Sequence, residues 1–236
     1  MAKKAPKRST AAANEKPLGS KTTAMQRLGD MVRYGYILWV SGVVTQRQLR
    51  RLIVKFATKY GVDADKAERR RRRRQGAGNA VLVVYRHPRS RLIIWWLLCQ
   101  PDHPTAPHHE QLMDATRRQG RLTVPDTRSV GSGWTADYEL VHVDGTWTWR
   151  MTPACRARWV ERIQATVREA EPASRHRGMR QIAHSLYTVP GYRGIRQQVR
   201  DLHRMIHVEW RRIRPAAEPL PVALRMPRYT RRRRQR

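Results

Sequence analysis

The sequence predicts an α+β fold: a mixed or antiparallel sheet with βαββαβ-like element order, an added hairpin strand, a C-terminal helical extension and disordered basic termini. Three observations carry that expectation. Short runs rich in β-branched and aromatic residues alternate with stretches whose apolar residues recur at helical spacing. An Asp144-Gly145 dipeptide separates two alternating segments, and Asp-Gly is favoured in two-residue hairpin turns. One terminus almost lacks large apolar residues, and the other is broken by four prolines.

Residues 1–22 are Lys, Ala, Ser, Thr and Pro with little to bury, so they read as a disordered basic arm. Residues 34–42 are rich in β-formers and read as a strand. Thr45 lies three residues before Gln48, the spacing of a capping box. Leu49, Leu52, Ile53, Phe56 and Ala57 then recur at helical intervals, which predicts a helix over 46–60 stopped by Gly61. Residues 63–75 favour helix by propensity, but six adjacent arginines repel one another, so order is expected there only with a polyanion bound. Two apolar runs, 80–86 and 91–98, flank a turn at 87–90 and predict a hairpin whose strands are covered on both faces or central in the sheet. A helix is expected near 108–119, ending at Gly120. A second hairpin is expected at 138–143 and 146–151.

Thr152 and Pro153 supply a cap and a first-turn proline for a helix reaching about residue 170. Helices at 176–188 and 194–213 follow, the last with Ile195, Val199, Leu202, Ile206 and Ile213 on one stripe. The implied organisation is an arm at 1–22, an α+β domain at 23–152 with an Arg-rich insertion at 63–75, a helical region at 153–213 and a Pro/Arg-rich tail at 214–236. The order βαββαβ is that of ferredoxin-like and RNA-recognition folds. The basic-Gly-aromatic-Gly-aromatic signature of the latter is absent from 80–86.

Charge narrows the partner. The chain has 49 Lys+Arg against 18 Asp+Glu, a formal net charge of +31, and such an excess seeks a polyanion. Its longest apolar run covers eight residues, 92–99, whereas a membrane-spanning helix needs about 20. No apolar signal core follows the basic N-terminus, and two cysteines do not make a disulfide framework. A cytoplasmic setting and a nucleic-acid partner, with no membrane, are therefore expected. Only eight of the basic residues are lysine. The guanidinium fork binds phosphate bidentately, although a GC-rich genome also favours arginine.

The foremost candidate contacts are Lys66, Arg69, Arg70, Arg71, Arg72, Arg73 and Arg74, a phosphate-tracking run. Arg231, Arg232, Arg233 and Arg234 form a second run. Arg193, Arg196, Arg200 and Arg204, with Gln197, suit either a helix-turn-helix reader or helices packed on the sheet. Tyr36, Trp39, Tyr85, Trp95 and Trp96 fall in strands, with Trp95 and Trp96 on opposite faces. They stack on bases if a face is open and are packing residues if helices cover it.

Cys99, His103, His108 and His109 are close in sequence but match no zinc-finger spacing, so no metal or cofactor is expected. No nucleophile motif or paired-carboxylate cluster is visible, and no catalytic residue is assigned. His87, His142 and His184 are the available proton-transfer groups. In charge, element order and available His, the chain is similar in outline to the Cas6-type CRISPR RNA endonucleases. That resemblance implies a metal-independent RNA-processing alternative. The leading expectation is a nucleic-acid-binding protein, for instance an accessory factor in replication, transfer or regulation of a genetic element. A structural subunit of a ribonucleoprotein is a further alternative. DNA against RNA, strandedness and oligomeric state stay open at this point.

Overall fold

Residues 17–88, 92–125 and 136–230 are described by a computed structural model, an α+β fold with two antiparallel sheets. Contacts divide the chain between Leu122 and Thr123. The first unit contains α1 (Lys21–Arg33), β1 (Leu38–Thr45), α2 (Gln46–Tyr60), α3 (Lys66–Arg74), β2 (Ala80–Arg86), β3 (Leu92–Cys99), α4 (Ala106–His109) and β4 (Met113–Asp114). Its strands are ordered β2-β3-β1-β4, and every pairing is antiparallel. The helical crossover from β1 to β2 leaves room for β3 between them, which is the split βαβ arrangement.

Alternation sends Leu38, Val40 and Val44, then Ala80, Leu82 and Val84, then Ile93, Leu97 and Cys99, to one face of this sheet. There they meet Leu49, Phe56 and Tyr60 of α2. On the other face Trp39, Val81, Val83, Tyr85, Ile94, Trp96 and Leu98 are buried. Helix α1 packs on β2 with Met25, Leu28, Met31 and Val32 buried. Two covered faces explain the uninterrupted apolar runs of β2 and β3.

Three features depart from the sequence reading. Helix α1 begins inside the expected arm: Ser20 caps it by accepting from the Thr23 N–H at 3.1 Å. Just before it, Leu18 bridges to β2 through Leu18 N to Val84 O and Arg86 N to Leu18 O. The helix expected near 108–119 is a single turn, α4. Sheet pairing wins over helix propensity here, because Met113 and Asp114 pair with Trp39 and Leu38 while Ala115 N donates to Ile37 O. Glu110 is meanwhile drawn to the Tyr60 hydroxyl at 2.6 Å. The sixth element of the βαββαβ order is therefore β4 and not the strand near 138. Residues 1–16 and the tip 89–91 of the first hairpin lie outside the described residues.

The second unit holds a sheet of β5 (Thr123–Pro125), β6 (Ala136–Val143) and β7 (Thr146–Met151), followed by α5 (Pro153–Arg168), α6 (Pro172–Tyr187) and α7 (Arg193–Ile213). The β6–β7 turn has Asp144 at φ 49° and Gly145 at φ 69°, the left-handed pair of the expected hairpin turn. Thr152 caps α5 with Pro153 in its first turn. Helix α7 packs on β7 and α5 on β6, so the hairpin groups with the helices. That packing puts β6 and β7 in one unit with α5 and α7, after the division between Leu122 and Thr123.

From 214 to 230 the tail has no helix or strand, but it is seated along α6. Arg175, 3% exposed, donates to Glu218 Oε1 from Nε at 2.9 Å and Nη2 at 2.7 Å. Its Nη1 donates to the carbonyls of Glu169 and Ala170. Trp210 Nε1 donates to Glu218 O at 2.9 Å. Farther on, Val222, Ala223 and Arg225 lie beside Ala183, His184 and Tyr187, and Thr230 N donates to Gly191 O. A side chain at Gly191 would overlap the Arg228 carbonyl.

Hydrogen bonds from Arg175, and then from His176, hold the Glu218 carboxyl below the usual carboxylate range. A depressed folded pKa contributes stability above the unfolded value, about 4.3, and the contribution is lost as pH falls through the folded value. Wild type should therefore melt above Glu218→Gln from neutral pH down to about 5, with the gap closing in more acidic buffer. A gap that does not change with pH in thermal melts would contradict this latch.

Candidate nucleic-acid interface

Residues 66–74 form helix α3, and contacts with its own neighbours hold it. Asp65 caps it by accepting from Glu68 N at 2.7 Å. The Glu68 carboxylate then pairs with Arg71 Nη2 at 2.7 Å and Arg72 Nε at 3.0 Å. Those bonds, first from Arg71 and then from Arg72, draw its pKa down. Arg69 Nη2 donates to Val62 O at 2.9 Å, and Asn79 Nδ2 donates to Arg69 O. Gly61 ends α2 in the left-handed region at φ 59°, and the Arg72 guanidinium lies where a side chain at 61 would stand. The last arginines also sit at the helix C-terminus, where the macrodipole favours cations.

The arginine run is thereby sorted. Arg69 and Arg72 are half-buried and hold the helix in place. Arg71 is 68% exposed although paired. Lys66, Arg70, Arg73 and Arg74 are exposed and make no ion pair among the described residues. Sequence reading missed a second set. Arg47, Arg50 and Arg51 are exposed on α2, opposite the Leu49, Leu52 and Phe56 stripe. Their i, i+3, i+4 spacing off the apolar stripe was the available signal.

The α7 candidates are arranged differently. Gln198 bonds both the N–H and the carbonyl of Met151, at 2.6 and 3.1 Å, and Gly194 N donates to Thr148 Oγ1 at 3.1 Å. The first turns are thus seated on β7, and α7 is packed on the sheet. Arg193, Gln197, Arg200 and Arg204 remain exposed on its other side. Arg193 faces Asp144 at 3.2 Å, Arg200 donates to Gln197 at 3.1 Å and Arg204 lies 3.6 Å from Asp201. Arg196 stacks on Tyr229, its guanidinium carbon 3.9 Å from the ring centroid. Arg231, Arg232, Arg233 and Arg234 lie outside the described residues.

The strand aromatics serve packing. Trp39, Tyr85 and Trp96 are buried, Trp95 meets Phe56 edge-on at 5.4 Å, and Tyr36 is half-buried. The histidines are divided between the two units. His87 is buried in the first unit, His142 packs on Trp147 at 5.0 Å, and His184 is exposed on α6. His103 is buried with Nε2 on Tyr60 O and Nδ1 accepting from Thr105 and Ala106, and burial lowers its pKa. Burial also pushes the Cys99 thiol up to about 12. Among the described residues no three His, Cys, Asp or Glu are placed to hold a metal.

No protein-family model matches the sequence, and neither curated proteins nor solved structures give a match. Arg72→Ala should lower the melting temperature by several degrees, because it removes both the Glu68 bond and the packing against Gly61. Arg73→Ala should leave it unchanged. Equal effects of the two substitutions in thermal melts would contradict this division of roles.

Proposed function

We propose that this protein binds nucleic acid, DNA or RNA, through arginine–phosphate contacts centred on α3. The observation that carries the reading is the exposed set Lys66, Arg70, Arg73 and Arg74, presented on a helix whose order is internal. A cationic helix already formed loses little conformational entropy on meeting phosphate, and each contact releases condensed counterions. The net charge of +31 supports a polyanionic partner. An anionic bilayer fits less well. Among the described residues no helix is long and apolar enough to cross a membrane. Helix α3 buries no residue and has no apolar face to lie in an interface.

Phosphate contacts position a duplex or strand without reading its sequence. This helix therefore supplies affinity rather than base preference. Log affinity should fall linearly with log salt for duplex and single-stranded probes alike. Replacing Arg70, Arg73 and Arg74 together by Ala should reduce that slope by about 2 to 3 on duplex while leaving the melting temperature unchanged. Fluorescence anisotropy titrations at several salt concentrations measure both. A flat salt dependence, or an unaltered slope in the triple variant, would overturn the reading.

A further inference from the structure

The tail seated on α6 ends beside the start of α7, and there it presents a ring. Tyr229 is 70% exposed although its position is fixed. Pro227 before it is buried, and Thr230 after it donates to Gly191 O at 3.2 Å. The Arg196 guanidinium covers one face of the ring at 3.9 Å, close enough for cation–π stacking. With most of the residue in solvent, the other face is open. Arg196 is half-buried with its guanidinium carbon over the ring, and among the described residues that guanidinium has no carboxylate or carbonyl partner. Further cations flank the pair in sequence, Arg193 and Arg200 one turn either side of Arg196 on α7 and Arg225 and Arg228 ahead of Tyr229 in the tail, all exposed. Four more arginines, 231–234, follow directly in sequence.

We infer that Tyr229 and Arg196 form a stacking site for an unpaired nucleobase of single-stranded nucleic acid, a reading that rests on the nucleic-acid function proposed above. An open aromatic face selects a planar ring, and the flanking cations select an anion. A nucleotide in a single strand is both. The base lies on the outer face of Tyr229, and its phosphate takes the N–H edge of Arg196. A duplex hides its base faces and cannot use the ring. A merely structural role for the Arg196–Tyr229 pair, fastening the tail to α7, does not require the exposure of the ring.

The test compares the full-length protein with Tyr229→Ala and Tyr229→Phe on three fluorescent probes: a thymidine oligonucleotide, an abasic strand of equal length and a duplex. A uridine oligonucleotide repeats the first arm for RNA. Circular dichroism melts establish that each variant folds. Wild type should prefer the thymidine strand to the abasic strand, which has the same phosphates and no bases. Tyr229→Ala should weaken thymidine binding roughly 5- to 100-fold and abolish that preference. Tyr229→Phe should keep both, and duplex affinity should hardly change. Equal wild-type binding to thymidine and abasic strands, or a Tyr229→Ala loss that is the same on all three probes, would overturn the stacking site while leaving phosphate binding intact. Failure of wild type to bind any probe would overturn both readings.

Discussion

A chain with 49 basic and 18 acidic residues must fold against its own charge, and the few carboxylates decide where folding is feasible. They stand where an arginine has to be held. Glu68 lies between Arg71 and Arg72 on a helix that self-repulsion would otherwise oppose. On β6, Asp137 and Glu139 are buried and bind Arg158 at 2.8 Å and Arg150 at 2.6 Å. Glu218 neutralises Arg175, the most deeply buried guanidinium described here, and in doing so fixes the tail. Buried charge is costly unless paired and hydrogen-bonded, so these positions are the points on which the surrounding elements depend.

The same arithmetic produces the surface. With Glu68 committed to Arg71 and Arg72, Arg70, Arg73 and Arg74 have no ion-pair partner among the described residues and face solvent. Within α3 the two roles alternate along nine residues: Arg69 and Arg72 point back to Val62 and Gly61, while Arg70, Arg73 and Arg74 point out. Helical periodicity separates them, since residues three apart share a face. Cationic display is thus a consequence of how the helix is held, and the proposed phosphate binding rests on that display.

Much of the fold was legible because local chemistry and tertiary packing agree. Thr45 and Gln48 do form the capping box, Asp144-Gly145 does turn the hairpin, and Thr152 with Pro153 does open α5. The long apolar runs correctly implied covered sheet faces. Where tertiary contacts overrule local preference, the sequence misleads: residues 113–114 add to a sheet edge in the middle of a helix-like stretch. The run 69–74 shows the opposite case. Adjacent like charges suggested disorder, and the compensation comes from Glu68, one turn away, and from backbone carbonyls that no pattern displays. Position along the chain also did not reveal that Arg196 reaches Tyr229, thirty-three residues later. That contact depends on the tail returning along α6.

The central claim is that α3 is a formed helix before any polyanion arrives. Amide hydrogen exchange of the segment Lys66–Arg74, in protein freed of nucleic acid by nuclease and high-salt washing, tests it most directly. The account predicts slowed exchange at the amides bonded within the helix, with only modest further protection when an oligonucleotide is added. Exchange at the rate of an unstructured peptide, slowing only after the oligonucleotide binds, would contradict it.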